Sequence, residues 1–323
     1  YLVQNDSATN GMVAIQKYLQ DDVMVYGSYT TASKGAGVNG GTDPVPYDQE
    51  DTAVLDFGLK AKLLDGAMLL NMNVFQNDNS GMLLATIRNT EAFNINVDAE
   101  VKGFEGLMKV FLSDTTSIDL SWLFVDAEIT SDTQTGNYLE PAGATGILQY
   151  LGPVDPQGTG FLTGAVFDNG QIWYKSGGFN CLTPLGFNPA AGVLCPLSEA
   201  NPVSLQGNDL PGVADTSYSL AFTQLFPGDN GVTSARLSYR YRGESNGDPF
   251  NMSRFDVPEQ KQFDFLLRYT PNNGDWYVGM YAKNLADDQT MNSIRSGSNA
   301  QGGQLYASFT DPRTWGIQFG SSF

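Results

Sequence analysis

Apolar and polar residues alternate with a period of two through much of the chain. Within residues 232–243 one face carries Ala235, Leu237, Tyr239 and Tyr241, and the other Arg236, Ser238, Arg240 and Arg242. Residues 53–64 set Leu55, Phe57, Leu59, Ala61 and Leu63 against Asp56, Lys60 and Lys62. Residues 262–270 set Phe263, Phe265, Leu267 and Tyr269 against Asp264 and Arg268, and residues 117–125 align Ile118, Leu120, Trp122 and Phe124. At the end, Trp315, Ile317, Phe319 and Ser321 alternate with Gly316, Gln318 and Gly320 up to the final Phe323. A period of two is that of a strand with one greasy and one polar face.

These segments pair across short turns. Residues 11–20 turn at Asp21-Asp22 into 23–31, and 53–64 turn at Asp65-Gly66, a strong hairpin signal, into 67–75. Residues 101–112 turn at 114–116 into 117–129, 217–226 at 228–230 into 232–243, and 262–270 at 271–274 into 276–284. With the last strand this predicts about eleven strands. The other connections are long: roughly 32–52, 76–97, 130–216, 244–261 and 285–312. Short turns alternating with long loops are the asymmetry of an outer-membrane barrel, with the short turns periplasmic. A soluble sandwich rarely needs a structureless connection of some eighty residues. Three arginines on one side of residues 232–243 cannot face lipid, where a mid-bilayer Arg costs about 2–4 kcal/mol, so they must face the barrel interior. The predicted fold is all-β, a transmembrane antiparallel β-barrel.

Composition agrees and narrows the chemistry. No apolar run approaches the length of a membrane helix, and mean hydropathy is slightly negative, as alternating faces require. Aromatics (19 Phe, 15 Tyr, 4 Trp) and 36 Gly suit interfacial girdles, twisted strands and loops. There is no His, which removes the commonest general base and transition-metal ligand. No Cys–His pair, Ser–His–acid set or phosphate-loop motif is present, so the chain is not expected to be an enzyme and no cofactor or metal is predicted. A net charge of −18 argues against a nucleic-acid partner, which calls for a basic face. The acidic pairs Asp21-Asp22 and Asp287-Asp288, and Asp78 between two Asn, lack the spacing of a calcium loop and read as solvated turns. Cys181 and Cys195 lie fourteen apart in a Gly-, Pro- and Asn-rich segment. A disulfide fits an oxidising compartment, with two free thiols as the alternative. The chain begins at Tyr1 without a signal-peptide pattern, as for a processed protein or part of a longer chain.

Four stretches resemble the carboxy-terminal half of the TonB-dependent receptors, active transporters of the Gram-negative outer membrane. They are Val25-Tyr26-Gly27-Ser28-Tyr29 with Ser33-Lys34-Gly35 and Gly40-Gly41, and Leu55-Asp56-Phe57-Gly58-Leu59-Lys60 with 69–78. The others are Tyr281-Ala282-Lys283-Asn284-Leu285-Ala286-Asp287-Asp288, and Asp311-Pro312-Arg313-Thr314-Trp315-Gly316 running to Phe323. Asp56 stands where the family has Glu. The resemblance implies about 11 strands of a 22-stranded plugged barrel over residues 1–323, with a long extracellular loop at about 130–216. It places the plug and the TonB box before Tyr1. It implies TonB–ExbB–ExbD as partners acting through that plug, outer-membrane lipid and lipopolysaccharide around the barrel, and a small nutrient such as a ferric siderophore or an oligosaccharide as ligand.

Candidate sites follow. Arg236, Arg240 and Arg242 would bind an anionic ligand, or else meet a plug or balance carboxylates on neighbouring strands. Trp173, Tyr174, Phe179 and Phe187 surround the cysteine pair in the long loop, to capture a ligand or to form that loop's own core. Trp315, Ile317, Phe319 and Phe323 are the expected barrel-assembly signal. The rival readings are a passive porin and a structural or adhesive surface barrel.

Overall fold

The computed structural model describes residues 7–40, 45–88, 91–136, 162–168, 171–176, 182–184, 202–296 and 305–321. Eleven strands form one sheet in chain order, each antiparallel to the next. They are β1 (Gly11–Gln20), β2 (Val23–Lys34), β3 (Glu50–Leu63), β4 (Met68–Arg88), β5 (Glu91–Ser113) and β6 (Thr116–Ile129). After the long connection follow β7 (Thr216–Gly228), β8 (Gly231–Arg242), β9 (Gln260–Pro271), β10 (Trp276–Lys283) and β11 (Thr314–Ser321). The outermost members, β1 and β11, do not pair with each other among the described residues. No helix among these residues is long and apolar enough to cross a membrane.

The predicted strands and short turns stand close to where alternation put them, with one large correction. Residues 76–97 were expected as a loop, because Asn77-Asp78-Asn79-Ser80-Gly81 has turn composition. Instead β4 and β5 run on together to Arg88 and from Glu91. The ladder absorbs the polar run in a bulge: pairing shifts between Asn79 and Met82 and resumes at Met82–Val97, with Gly81 at φ 68°, a conformation glycine tolerates without a Cβ penalty. The other long connections also carry short sheets. Gln134–Gly136 pairs with Pro202–Ser204, and Leu162–Asp168, Gln171–Ser176 and Leu182–Pro184 form three strands inside the stretch read as structureless.

Register fixes two faces. Across β7, β8 and β9, Leu220 aligns with Tyr239 and Phe263, and Phe222 with Leu237 and Phe265. Ser219, Arg240 and Gln262 share the opposite face. Residues from β2 through β9 line one cavity of about 610 Å³ that includes the polar set, so the sheet curls with that face inside. The convex face is apolar and uncovered, with Leu237 at 45% and Ile317 at 71% exposure. Such a continuous apolar surface is stable only against lipid. Its upper and lower limits carry aromatic clusters. Tyr218 stacks on Tyr241 at 4.9 Å and Tyr239 meets Phe263 at 4.6 Å toward the loop end. At the turn end Trp276 lies 5.7 Å from Tyr269 and 6.4 Å from Phe319. Such girdles mark the two membrane interfaces. Just past the upper girdle the convex face becomes charged, where Lys102 bridges Glu100 at 3.0 Å and Asp126 at 3.2 Å.

Above the apolar band sits a small core of the soluble type. Leu84, Val97, Ala99, Ala127, Ile129, Leu205 and Leu210 are buried together, with Phe250 and Val213 packed on them. Alternation carries Val97, Ala99, Ala127 and Ile129 on the concave side, so residues 205–213 and 244–257 fold inward over the mouth. Backbone bonds fasten the first of these segments: Leu210 N–H donates to Ala127 O at 2.9 Å and Gly207 N–H to Ile129 O at 2.8 Å.

Candidate functional site

The concave wall is where chemistry gathers, because the polar half of each period-two pattern must turn there. The three candidate arginines share it but stand in different circumstances. Arg236 donates to Asp119 at 2.6 Å and to Thr223 at 2.9 Å, and Lys109 joins the same carboxylate at 3.2 Å. Arg240 donates to Asp264 at 2.6 Å and to Gln262 at 3.0 Å. These two balance carboxylates, Arg236 reaching across β7 to Asp119 on β6 and Arg240 pairing with Asp264 on the adjacent β9. Arg242 contacts only neutral acceptors among those described, the Gly212 carbonyl at 2.8 Å and Ser245 Oγ at 3.2 Å.

Other wall residues were assigned to the polar face by alternation but not singled out as candidates. Lys60 lies over the Tyr26 ring at 5.6 Å, and Arg268 stacks on Tyr277 at 3.7 Å, a cation–π geometry. Tyr26 in turn covers Gly58, where any Cβ would collide with its ring. The resembling stretches around Tyr26 and Gly58 therefore meet across β2 and β3. The signal for Lys60 was its place on the polar face. The partners Asp119 and Asp264 depend on interstrand register, which no single segment reveals.

The two carboxy-terminal stretches also meet. Asn284 is 2% exposed at φ 50°, a left-handed conformation for which Asn is enriched. Its amide donates to the carbonyls of Asp288 at 3.0 Å and Asp311 at 2.9 Å, and its oxygen accepts Asp288 N–H at 3.0 Å. Its own N–H donates to Asp264 at 2.9 Å. Asp287 accepts Arg313 N–H at 2.7 Å. The acidic pair Asp287-Asp288 thus caps turns that tie β10 to β11, and no group of metal-binding residues occurs among the described residues.

In the mouth, Asp248 is 3% exposed and accepts the N–H groups of Phe250 at 2.7 Å and Met252 at 3.2 Å. Burial pushes its carboxyl above the ordinary carboxylate value, against the pull of those bonds. Asp215 is raised as well, by burial and then by Asp209 and Asp126.

Trp315, Ile317 and Phe319 lie exposed on the convex face of β11. Trp173 and Tyr174 fall in the strand Gln171–Ser176, their side chains outside the described set. Phe179, Phe187, Cys181, Cys195 and Phe323 also lie outside the described residues.

A family model described as TonB dependent receptor-like, beta-barrel matches residues 3–285. No curated protein matches the sequence. Among solved structures, the ferric yersiniabactin uptake receptor FyuA from Yersinia pestis is similar at 16% identity and TM-score 0.64, over 96% of this chain and 36% of that one. The siderophore receptor PiuA from Acinetobacter baumannii gives 16%, TM-score 0.60, and coverage of 96% and 35%. The copper transporter OprC gives 15%, TM-score 0.60, and coverage of 97% and 39%. The chain therefore spans little more than a third of the length of these structures, and at such identities the likeness shows the fold.

Proposed function

Because this chain belongs to the TonB-dependent receptor β-barrel family, we propose that it supplies part of the wall and outer loops of an outer-membrane active transporter. In this reading a plug fills the interior, and TonB–ExbB–ExbD act on that plug to release a bound nutrient inward. The cargo is a ferric siderophore or an oligosaccharide. Siderophore is favoured because PiuA is described as a siderophore receptor and FyuA as a ferric yersiniabactin uptake receptor. The observation that carries the reading is the pairing of an apolar convex face, bounded by aromatics, with a concave wall of charged and amide side chains. A passive porin needs the same band but not the family match over residues 3–285. Within this scheme the long loop with Trp173, Tyr174 and Phe179, restrained by Cys181 and Cys195, captures ligand at the surface.

The test is uptake of iron-55 chelates by iron-starved cells carrying or lacking the gene, each with and without TonB. Uptake that needs both supports the reading. Gene-dependent uptake that persists without TonB would overturn it in favour of a passive channel.

A further inference from the structure

Two asparagines tie the connection between β2 and β3 to the upper hairpin of β4 and β5. Each pairs its side-chain amide with a backbone peptide far away in sequence. Asn39 Nδ2 donates to Asn94 O at 2.9 Å, and Asn94 N–H donates to Asn39 Oδ1 at 2.7 Å. In the reverse direction Asn96 Nδ2 donates to Asp48 O at 3.0 Å, and Asp48 N–H donates to Asn96 Oδ1 at 2.8 Å. We propose that these reciprocal pairs form a clasp. It locks residues 35–40 and 45–50 onto the hairpin as a fixed strap, so that two outer loops move as one body and wall this side of the mouth.

The argument starts from what can pair with a peptide. A carboxamide carries both a donor and an acceptor, so Asn39 offers Asn94 what a neighbouring strand would. Such a partner is needed there. Strand β6 follows the β5 ladder only as far as Ile129 opposite Ala99, and beyond that point β5 would present an open edge. Ser131 Oγ takes Asp98 N–H at 2.9 Å, and Asn39 covers Asn94. Asn39 is 3% exposed, which shields both of its bonds from water. The amide nitrogen of Asn96 also donates to Gly81 O at 2.6 Å.

The strap is built to lie close. Gly37 and Val38 pair with Tyr47 and Pro46, and Asn39 N–H donates to Val45 O at 2.8 Å. A Cβ on Gly81 would stand 2.6 Å from Gln49 O, so the bulge glycine of β4 admits the strap's backbone against the hairpin. Glu50 accepts Leu83 N–H at 3.2 Å. Alternation turns Asn96 and Val97 to opposite faces. Asn96 takes the strap, and Val97 packs in the core with Leu205 and Leu210. The hairpin is therefore held from both faces, whereas surface loops without such ties are the first to open. The clasp does not depend on the transport reading or on any cargo.

The experiment is a double electron–electron resonance measurement on the full-length protein in detergent. Spin labels sit at residues 46 and 85, both exposed, in a parent lacking Cys181 and Cys195. The parent should give one narrow distance. Asn39→Asp removes the donor and sets a carboxylate against the Asn94 carbonyl, and Asn96→Asp does the same at Asp48 O. Each should raise the displaced population about tenfold or more. A protonated carboxyl donates and accepts as the amide does, so Asn39→Asp should regain the narrow distance near pH 4, roughly the carboxylate range. The parent at the same pH controls for Asp48, Glu50, Asp51 and Asp98, and should not change. Labels at 85 and 206 report the core face and should stay narrow in both variants. Heat-modifiable gel mobility checks folding, and Asn39→Ser, which cannot reproduce the paired geometry, should loosen the strap if Asn39→Asp fails to assemble. A two-peaked parent, variants as narrow as the parent, or a broadening that acid does not reverse would overturn the clasp. So would equal broadening between 85 and 206, since the amides would then hold the whole mouth rather than the strap.

Discussion

The apolar band of the sheet and the core at its mouth bury hydrophobic side chains by opposite means. In the band, Leu237 and Ile317 remain 45% and 71% exposed, because lipid is the partner the protein itself does not supply. A few residues higher, Ile129 and Leu205 are both at 0%, because water lies there and the chain must cover its own apolar groups. Strand β6 passes through both regimes. Ile118, Leu120, Trp122 and Phe124 point out to the band, while Ala127 and Ile129 point in to the core. The difference teaches that exposure alone does not measure burial cost in this fold; height along the strand decides which solvent a side chain meets.

That contrast can be broken most strongly at the core. Leu205→Ala should cost about 2–5 kcal/mol locally, as lost transfer energy plus a cavity. Hydrogen exchange should show residues 205–213 losing protection while the β7–β9 ladder keeps its own, equally in detergent and in lipid. Uniform loss across the sheet would mean that core and band form one cooperative unit. On the band, Leu237→Arg should cost about 2–4 kcal/mol near the bilayer middle, seen as a lower unfolding midpoint in vesicles. The cost should shrink where the same site is surrounded by soft detergent micelles. An equal cost in both media would mean that residue 237 faces protein.

The smallest effect belongs to pH. Burial raises the folded-state value of Asp248 above its unfolded one, so the folded mouth holds that proton more tightly. Stability of residues 244–257 should therefore rise as pH falls through the raised value, level off below the ordinary carboxylate range, and decline again as pH is brought back up. Proteolysis of that segment across mildly acid pH measures this, and Asp248→Asn should flatten the profile.

The membrane strands were open to sequence reading because each declares its face within itself: Leu237 beside Arg236 and Ser238 needs no knowledge of a neighbour. The mouth was not. Leu205, Leu210 and Phe250 sit among Gly, Asn, Asp and Pro, without periodicity, and only packing with residues such as Val97 and Ile129 makes them a core. The polar run before Met82 concealed the extension of β4 in the same way, since a bulge shifts the register and lets pairing resume where composition alone would end the strand. For the arginines, alternation placed all three on one face correctly. It could not tell that Arg236 and Arg240 meet Asp119 and Asp264 while Arg242 does not, because that depends on which strands align. The carboxy-terminal resemblance has a physical basis in the same long-range sense: Asn284 is required where the chain must turn left-handed and satisfy both the nearby carbonyl of Asp288 and the distant one of Asp311.

The most direct test of the account is a spin-label scan of residues 235–242, one cysteine at a time, in the outer membrane and in a background lacking Cys181 and Cys195. Accessibility to oxygen should peak at 235, 237, 239 and 241, and accessibility to a water-soluble nickel complex at 236, 238, 240 and 242 wherever the interior is wet. Accessibility without a period of two, or with the two sets exchanged, would contradict a barrel wall that turns its leucines and tyrosines to lipid and its arginines inward.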